Sequence, residues 1–390
     1  MEFRGFERPN NLVGVRNTVL VLAVCDCGEP AARQMADGIE GAVAVTQYHG
    51  CIAMETVPTL VGVAKNPNVA GTLLVAMGCE GLQPDPLREE IAKAGKPVEV
   101  VNIQEIGSTR KAIAKGTQIV KHMAEKAKEQ PRKVFDVSRL VVGVKCGGSD
   151  TTSGIAANPA IGIMSDMLID TGASVVMIEP IEAIGAEEAL AARAVNEVAK
   201  QQILKWIGDE EKRWTVSGAS VDFMCAGNIQ GGLTTLEEKS LGAIHKSGHR
   251  PIKGVLRNRE DELETIPPGG GLYLQEGIHV ELHAMTSMAA AGVHIIVFAT
   301  GTGGSFGHAI CPLVKVTGNP ETWARMSEDM DVNASTIMEG KESIESVGKR
   351  IFDEVVAVAS GKLTTGEQLG FYNFAVWKRD PRLEVLLGLR

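Results

Sequence analysis

The chain has 390 residues, of which 44% are hydrophobic and 22% charged, and its formal net charge at pH 7 is −9. This length and apolar fraction suffice for two domains with separate cores, and no stretch approaches the roughly 18 uninterrupted apolar residues of a membrane span. The acidic balance and the lack of a basic tract argue against nucleic acid or a membrane as partner, but they leave room for a small anionic substrate bound by a local cluster of donors.

The amino-terminal segment MEFRGFERPNNLVGVRN lacks the apolar core of a secretory signal. Seven cysteines, an odd number, are spread along the chain at positions 25, 27, 51, 79, 146, 225 and 311. Disulfide frameworks belong mainly to small secreted domains. We therefore expect reduced thiols and a cytoplasmic location.

Short runs of Val, Ile, Leu and Ala, each ending at a glycine-rich or polar turn, alternate with amphipathic stretches. The apolar runs predict strands over 18–25, 41–47, 71–79, 139–145, 174–180, 219–225 and 293–301. The amphipathic stretches predict helices over 85–95, 108–130 and 185–207. Near-continuous apolar strands that alternate with helices are typical of parallel sheets covered on both faces, so the predicted fold class is α/β.

The most polar segment of the first half lies at 123–139 and contains Pro131, which ends the preceding predicted helix. We therefore place a domain boundary near residue 135. This gives an N-terminal α/β domain over 1–135 and a C-terminal α/β domain over 136–390. A Pro/Gly-rich turn at 264–273 is interpreted as a surface loop of the second domain.

Seven strand-end segments form a shortlist for the functional site, because ligands of parallel α/β sheets bind at the carboxyl ends of strands. They read CDCGE, QYHGC, MGCE, KCGGSDTTSG, EPIEAIGAE, CAGNIQGGLTTLEEKS and ATGTGGSFGH. Five of the seven carry a cysteine. A single strand-end cysteine fits core packing better than function, but the recurrence of cysteine beside Gly, Glu and His favours a site with metal ligands.

Several motifs have a structural explanation that competes with the functional one. The segment GTGGSFG at 301–307 is not a dinucleotide loop, because Phe306 occupies the position of the third glycine. His49 is either a loop histidine or a ligand beside Cys51, a pair that suits iron or zinc but lacks zinc-finger spacing. Glu179 ends an apolar strand, where helix capping does not explain a carboxylate, so it is a candidate ligand or base.

Two further segments favour anion binding or helix capping. In KCGGSDTTSG, two glycines let backbone N–H groups approach an anion and the hydroxyls suit a carboxylate or sulfonate; Asn158 and Pro159 then begin the next predicted helix. In GGLTTLEEKS, Thr234 or Thr235 caps a helix in a capping-box spacing. Lys239 in that helix either points into the site or is solvated.

Six motifs together resemble the signatures of the altronate/galactarate dehydratase family: GFERPNNLVGVRN, MGCE, KCGGSDTTSGIAANPAIG, EPIEAIGAE, GGLTTLEEKSLG and FATGTGGSFG. The resemblance runs from about residue 4 to the C-terminus. It implies a metal-dependent lyase, usually with iron, that acts on a 2-hydroxy carboxylate. It also implies a dimerising α/β domain followed by a Rossmann-like domain, whose mainly parallel sheet has an unusual crossover.

The sequence departs from the family pattern in three places. Members commonly carry an additional N-terminal β-clip domain, so we expect that domain to be lost or supplied as a small alpha subunit. The segment EGIH at 276–279 stands where sugar-acid members read PGND, and GTGGSFG stands where they read GRGTPFG. Gln47 occupies the histidine position of an H-x-x-G-C motif. The pocket for a polyhydroxy chain is thus altered.

In its length and in starting without the N-terminal domain, the chain resembles the large subunits of family members that act on a sulfonated 2-hydroxy acid. This resemblance implies elimination of sulfite from (2R)-3-sulfolactate, through abstraction of the α-proton and an enol, to give pyruvate. Two alternatives stay open: dehydration of a sugar acid, and a non-catalytic scaffold subunit. The expected cofactor is one Fe²⁺, with Mn²⁺ or another divalent ion as the alternative, and the expected assembly contains a homodimer of this chain. Cys225 and Cys311 are expected to be spectators.

The resemblance and the strand-end positions together predict the site residues. The metal ligands are expected to be Cys51, Cys79, Cys146 and Glu179. The catalytic residues are expected to be His49, Lys145, Asp150 and Lys239. Substrate binding is assigned to Gly147, Gly148, Ser149, Thr151, Thr234 and Thr235.

Overall fold

The computed structural model describes residues 1–216, 224–258, 263–378, 385 and 387–388. The strands are β1 (Glu2–Arg8), β2 (Leu12–Gly14), β3 (Thr18–Ala23), β4 (Ala42–Thr46), β5 (Val69–Ala76), β6 (Val98–Asn102), β7 (Lys133–Asp136), β8 (Val141–Cys146), β9 (Ser174–Met177), β10 (Ile252–Leu256), β11 (Gly271–Gln275), β12 (Ile295–Ala299), β13 (Leu313–Thr317) and β14 (Val332–Asn333). The helices are α1 (Glu29–Ala36), α2 (Val57–Lys65), α3 (Pro84–Ala92), α4 (Ile103–Ile106), α5 (Thr109–Glu129), α6 (Asn158–Asp170), α7 (Glu187–Ala191), α8 (Glu197–Val216), α9 (Ala226–Gln230), α10 (Leu236–Ile244), α11 (Glu281–Ala290), α12 (Pro320–Met326), α13 (Ser335–Met338), α14 (Ile344–Ala359) and α15 (Thr365–Gln368).

The first part of the chain forms a four-stranded parallel sheet in the order β4-β3-β5-β6. Its central strand β3 reads TVLVLA because both faces are covered. Leu20 packs with Leu60 of α2 on one face, whereas Val19 and Val21 pack with Ala112 of α5 on the other. The period of two along the strand assigns alternate side chains to the two helical layers.

The second part forms a seven-stranded sheet in the order β10-β11-β9-β8-β12-β13-β14, with every pairing parallel. The chain passes from β9 to the edge strand β10 and then returns to insert β11 between them, which is the unusual crossover. From β8 the sheet grows in one direction through β9 and in the other through β12. The prediction of two α/β units with a Rossmann-like, mainly parallel second sheet is confirmed.

A small antiparallel sheet, β2-β1-β7, pairs the start of the chain with the segment that follows α5. The two larger sheets are tied together by α2 and the residues after it. Asn66 Nδ2 donates to the carbonyls of Ala289 and Val293, and Asn68 Nδ2 donates to that of His294. Buried amide-to-carbonyl bonds of this kind fix the register of one unit against the other.

Several boundaries differ from the sequence prediction. The single helix expected over 185–207 is wrong: it is divided into α7 and α8, because the intervening backbone pairs with β10 through Val195 N and Ile252 O at 3.0 Å. The strand expected over 219–225 lies mainly outside the described residues, and Met224 and Cys225 precede α9 instead. α6 begins at Asn158 with Pro159 in its first turn, after a π-helical turn at Ser153–Ala157. None of the described helices combines the length and apolarity that crossing a bilayer requires.

Candidate active site

The carboxyl end of β8 lies at the point where the strand order of the seven-stranded sheet reverses, next to β12. Such switch points are the usual ligand-binding crevices of open parallel sheets. Lys145 and Cys146 end β8, and both are buried. Their side chains belong to a buried group that we call the lysine–glutamate cluster, formed by Lys145, Cys146, Glu179, Glu182, Lys239 and Lys246.

Two fully buried lysines neutralise the two glutamates of this cluster. Lys145 Nζ lies 2.5 Å from Glu179 Oε1, and Lys246 Nζ lies 2.8 Å from Glu182 Oε2. Lys246 Nζ also approaches Glu179 Oε2 at 3.4 Å. Removing charged groups from water is costly unless they are paired and hydrogen-bonded, so the cluster is stable only as a set.

The Cys146 side chain bridges the same charges. Its thiol donates to Glu182 Oε2 at 2.6 Å and accepts from Lys246 Nζ at 2.9 Å. Burial, with the negative charge of Glu182 next in importance, raises the pKa of Cys146 to about 12. The sulfur is therefore a protonated thiol at neutral pH, held between a carboxylate and an ammonium group.

The two glutamates have pKa values shifted in opposite directions. Burial, followed by the charge of Glu182, raises the pKa of Glu179 to about 7, and these effects outweigh the nearby ammonium groups of Lys145 and Lys246. Burial acts the same way on Glu182, but the charges of Lys246 and Lys239 hold its pKa well below the ordinary carboxyl range. Two neighbouring carboxyl groups whose pKa values are shifted apart are a common arrangement in acid–base sites.

Glu179 is held in an uncommon backbone conformation. It follows β9 by two residues with φ +89°, in a region that favours glycine. The conformation lets both carboxylate oxygens be used, since Oε1 accepts from Lys145 and Oε2 accepts from the backbone N–H of Cys146 at 3.2 Å. Strained non-glycine residues of this kind cluster at functional sites.

Lys239 reaches the cluster from α10 and points inward, which resolves the two possibilities left by the sequence. Its Nζ lies 3.4 Å from Glu182 Oε1, and the side chain is 17% exposed, so it lies nearer the surface than the other two lysines. Although burial opposes it, the charge of Glu182 raises the pKa of Lys239. Lys239 therefore stays a cation at the outer side of the cluster.

His279 lies beside the cluster in the loop between β11 and α11. Its carbonyl accepts from Lys145 Nζ at 3.2 Å, and its ring Nδ1 is buried with no hydrogen-bond partner among the described residues. Burial, then the positive charges of Lys145 and Lys239, lower the pKa of His279 against the opposing charges of Glu182 and Glu281. The imidazole is therefore neutral at pH 7 and has a nitrogen available.

The loop after β8 is shaped by glycines. Gly147 N donates to Ala299 O at 3.0 Å, and Gly148 has φ +58°. This arrangement carries the loop across the end of β12. Ser149 is buried, and its hydroxyl finds no hydrogen-bond partner in the described part of the chain, so it is available to a ligand.

A second group lies at the carboxyl end of the four-stranded sheet. Cys25 follows β3, Cys27 follows two residues later, and Cys51 follows the neighbouring strand β4. Their three sulfur atoms all lie within 4.8 Å of one another. Cys25 is buried, Cys51 is half-buried and Cys27 is exposed. We call these three residues the cysteine cluster.

The first turn of α11 lies between the two groups. The Glu281 carboxylate lies against Gly147, where an added Cβ would come within 2.7 Å of its Oε1. Two residues later, His283 has its pKa lowered by burial and by the charge of His49, which belongs to the loop that carries Cys51. The two groups therefore face one region between the sheets.

Two family models match the chain. The one described as D-galactarate dehydratase/altronate hydrolase, second domain, matches residues 5–128, and the one described as D-galactarate/altronate dehydratase, C-terminal, matches residues 137–382. The second match alone covers more than half of the 390 residues. The chain belongs to the altronate/galactarate dehydratase family. The resemblance predicted from its motifs is thereby confirmed.

Curated relatives within the altronate/galactarate dehydratase family include lyases of two kinds. The chain is 34% identical over 385 residues to (2R)-sulfolactate sulfo-lyase subunit beta of Chromohalobacter salexigens, covering 96% of each chain. It is 32% identical over 402 residues to altronate dehydratase of Bacillus subtilis, covering 98% of this chain and 78% of that one. It is 34% identical over 346 residues to galactarate dehydratase (L-threo-forming) of Escherichia coli, covering 84% and 64%. These relatives support an enzyme of the lyase class.

The four ligands predicted from the family resemblance are divided between the two groups. Cys146 and Glu179 lie in the lysine–glutamate cluster, whereas Cys51 lies in the cysteine cluster. Cys79 follows β5 and is exposed. His49 Nε2 lies 2.7 Å from the carbonyl oxygen of Val376, so this nitrogen is already engaged by the backbone.

The remaining predicted residues mostly shape the backbone. Asp150 Oδ1 accepts from Ser153 N at 2.8 Å, and its Oδ2 accepts from Asn319 Nδ2 at 2.7 Å, so its carboxylate is occupied in holding the loop. Thr235 caps α10, and the Thr234 hydroxyl donates to Glu238 at 2.6 Å, as in the capping interpretation. Further loop contacts of the same kind are made by Thr151, whose hydroxyl donates to Gly231 O at 3.3 Å.

Sequence reasoning did not single out Lys246, Glu182 or His279 as site residues. Lys246 follows α10 in the segment IHKSG, which has no strand-end signature. Glu182 lies in the short helical turn Pro180–Ala183 after β9, and nothing in the local sequence distinguishes it from an acid that stabilises a helix start. The segment EGIH, which contains His279, indicates only a departure from the family pattern. His279 lies two residues before α11, within the segment EGIH that differs from the family pattern, and this difference is the signal in the sequence that points to it.

Proposed function

We propose that the protein is the large subunit of a lyase that eliminates sulfite from (2R)-3-sulfolactate. A base removes the proton from the carbon beside the carboxylate, the C3–S bond breaks, and sulfite leaves with the bonding electrons. The enolpyruvate that remains takes up a proton and becomes pyruvate. The 34% identity to the sulfolactate sulfo-lyase subunit beta, over 96% of both chains, supports this choice of substrate.

The buried charges of the lysine–glutamate cluster are the observation that carries the proposal. Lys145, Lys239 and Lys246 contribute three positive charges, and Glu179 and Glu182 contribute at most two negative charges. The cluster is thus positive by at least one charge while Cys146 is a thiol. Fixed positive groups in a water-poor site stabilise negative charge that develops on the carboxylate of the substrate as its α-proton leaves.

His279 is our choice for the general base. A base must be unprotonated at working pH and have a free nitrogen or oxygen, and the lowered pKa and unpartnered Nδ1 of His279 meet both conditions. Glu179 has a raised pKa, but both of its oxygens are engaged within the cluster. We assign Lys239, at the outer side, to the substrate carboxylate, and the free Ser149 hydroxyl to an anionic oxygen of the substrate.

We propose one divalent iron as cofactor, with manganese as the alternative. The lysine–glutamate cluster does not fit a metal ion, because the Lys246 ammonium already lies within 2.9 Å of Cys146 Sγ and Glu182 Oε2. A divalent cation there would displace one ammonium group and face two others. When bound elsewhere in the site, the metal supplies additional stabilisation of the developing negative charge.

We also propose a small partner subunit. The sulfolactate sulfo-lyase relative is named as a subunit beta, and the model matched by residues 5–128 is described as a second domain. Three apolar side chains beside the cysteine cluster are strongly exposed: Tyr48 by 54%, Ile52 by 78% and Met54 by 57%. Exposed large apolar side chains grouped in one short segment are typical of an interaction site, and the partner that the relative's name implies is the occupant we assign.

Sugar-acid dehydration is the second candidate, supported by the altronate dehydratase of B. subtilis at 32% identity over 98% of this chain. The test incubates the chain, co-expressed with the proposed small subunit, with Fe²⁺ and either sulfolactate, altronate or galactarate. We expect equal amounts of sulfite and pyruvate from sulfolactate. A keto-deoxy sugar acid without sulfite would contradict the proposal, and full activity of Cys146→Ser together with His279→Ala would favour a scaffold subunit.

A further inference from the structure

We propose that Cys25, Cys27 and Cys51 together bind a single divalent transition-metal ion, with a fourth coordination position open to the region between the two sheets. Sulfur donors of this kind select zinc and iron over magnesium or calcium. Metal binding at this place does not depend on the lyase reaction proposed above, although the role of the open position does rest on it.

The fold brings the three sulfurs together from two neighbouring strands. β3 and β4 are parallel and in register at their ends, with Ala23 opposite Thr46, so the segments that follow them leave the sheet at the same edge. Cys25 and Cys27 lie in the turn after β3, and Cys51 lies in the loop after β4. A tetrahedral ion with metal–sulfur bonds of about 2.3 Å needs sulfurs about 3.8 Å apart. The observed limit of 4.8 Å requires only a small adjustment.

The loop that presents Cys51 is braced before any metal is bound. Buried Gln47 donates through Nε2 to Gly50 O and accepts at Oε1 from His49 N, both at 2.5 Å. Tyr48 and Gly50 both have positive φ, 54° and 81°. Non-glycine residues in this strained conformation cluster at functional sites. Gly50 N also donates to Asp26 Oδ2 at 3.2 Å, which joins this loop to the Cys25–Cys27 turn.

The charges around the cysteine cluster are negative, unlike those of the lysine–glutamate cluster. Asp26 lies between two of the cysteines, and its Oδ1 is buried with no hydrogen-bond partner among the described residues. The buried Glu80 carboxylate is close enough to Cys25 to act on its charge. Carboxylates around three thiols disfavour thiolates on their own and favour a cation among them.

Three protein ligands and an open position are typical of catalytic metal sites, whereas closed sites with four protein ligands are structural. Cys79 is exposed and is not among the three mutually close sulfurs, and the His49 Nε2 nitrogen is engaged by Val376 O. The fourth position is therefore left to water or to an oxygen of a small ligand. The carboxylate and hydroxyl oxygens of a 2-hydroxy acid are the chemistry that would replace the water.

The test measures metal binding by the full chain, purified without oxygen and under reducing conditions, after chelation and reloading with Fe²⁺, Zn²⁺ or Co²⁺. We expect one bound ion per chain and, with Co²⁺, a sulfur-to-cobalt charge-transfer absorption. Changing a residue that supports a metal ligand typically weakens metal binding by about 10–100-fold. Cys27→Ser removes a ligand itself, at an exposed position, so we expect it to weaken metal binding by at least that factor. Cys25→Ser and Cys51→Ser should do the same.

The control variants are Cys225→Ser, exposed and outside both groups, and Cys146→Ser, in the lysine–glutamate cluster. Both should keep one ion per chain, as should Cys79→Ser. Loss of metal in Cys146→Ser with retention in Cys27→Ser would overturn the proposed site, and so would a disulfide within the cysteine cluster under the same reducing conditions. Loss of metal in Cys79→Ser would show that Cys79 is a fourth ligand and would contradict the proposed open coordination position. Failure of sulfite release with metal binding intact would contradict the proposed function alone.

Discussion

The imidazole of His279, our proposed base, lies between the buried lysine–glutamate cluster and the first turn of α11. We expect His279→Ala to lower kcat/KM by about 10²–10⁴-fold, the usual contribution of a positioned base. Added imidazole should restore part of the rate, which a purely structural role would not predict. The matched control is His122→Ala, at an exposed position on α5, which should leave both folding and rate unchanged.

The same assignment predicts the acid side of the pH profile. Since burial and the charges of Lys145 and Lys239 lower the pKa of His279, the base stays unprotonated down to a pH below the ordinary histidine value of 6.5. kcat/KM should therefore be constant near neutrality and fall only in more acidic solution. If kcat/KM already falls above pH 7 as the pH is lowered, a group other than His279 acts as the base.

Glu179 makes a distinct contribution to stability because its pKa is raised from 4.5 to about 7 on folding. Between these values the folded protein binds more protons at this group than the unfolded chain does, so the free energy of unfolding falls as the pH rises. Glu179→Gln should remove that part of the slope, as measured by urea unfolding at pH 5 and pH 7. The exposed Glu89→Gln should not, and an unchanged slope in Glu179→Gln would contradict the assignment.

Lys246 compensates two buried groups, so its loss should be costly. We expect Lys246→Met to reduce the free energy of unfolding by about 3–5 kcal/mol, because it leaves the Glu182 carboxylate buried with less compensation. The double variant Lys246→Met/Glu182→Leu should recover part of that loss. Lys93→Met, which removes an exposed partner of Glu90, should change little. Equal losses in the single and double variants would show that Lys246 acts through packing alone.

Among the elements, the contact between α2 and α11 joins the two sheets through a glycine. A Cβ at Gly62 would lie 2.5 Å from Ala290 O, so Gly62→Ala should force the helices apart and cost about 1–3 kcal/mol of unfolding free energy. Gly208→Ala in α8 meets no atom within 4 Å and should instead stabilise by about 0.5–1 kcal/mol. Thermal unfolding of both variants tests the contact, and a stabilised Gly62→Ala would contradict it.

The elements also show where sequence reasoning succeeds and where it stops. Apolar runs bounded by turns locate strands such as β3, β8 and β12, because strands buried on both faces consist mostly of apolar residues. The division of α7 from α8 was not predictable, because it depends on pairing with β10, some 60 residues later. Likewise, the rule that ligands bind at the carboxyl ends of strands selects Cys51 and Cys146, but it does not show that they belong to two separate groups. Lys246 and Glu182 converge only through tertiary packing, which local periodicity does not record.

The sequence carries a further signal for the cysteine cluster. The segments CDCGE and QYHGC follow adjacent apolar runs, and successive strands of a parallel sheet are often neighbours. Their cysteines could therefore have been assigned to one edge from the sequence alone. The spacing of Cys25 and Cys27 does not match a CxxC motif, but a comparison within one segment takes no account of a ligand from a second strand.

At the scale of the whole molecule, our proposal is that the small partner subunit binds where Tyr48, Ile52 and Met54 are exposed beside the cysteine cluster. We expect Ile52→Asp to weaken co-purification of that subunit by about 30-fold or more, because burying a charge at the centre of an apolar contact costs at least about 2 kcal/mol. Val198→Asp, at another strongly exposed apolar position on α8, should leave the complex intact. Light scattering separates a mixed complex from a homodimer of this chain. A fully active Ile52→Asp variant that still retains its partner would refute the placement, and a fully active homodimer without any partner would refute the subunit itself.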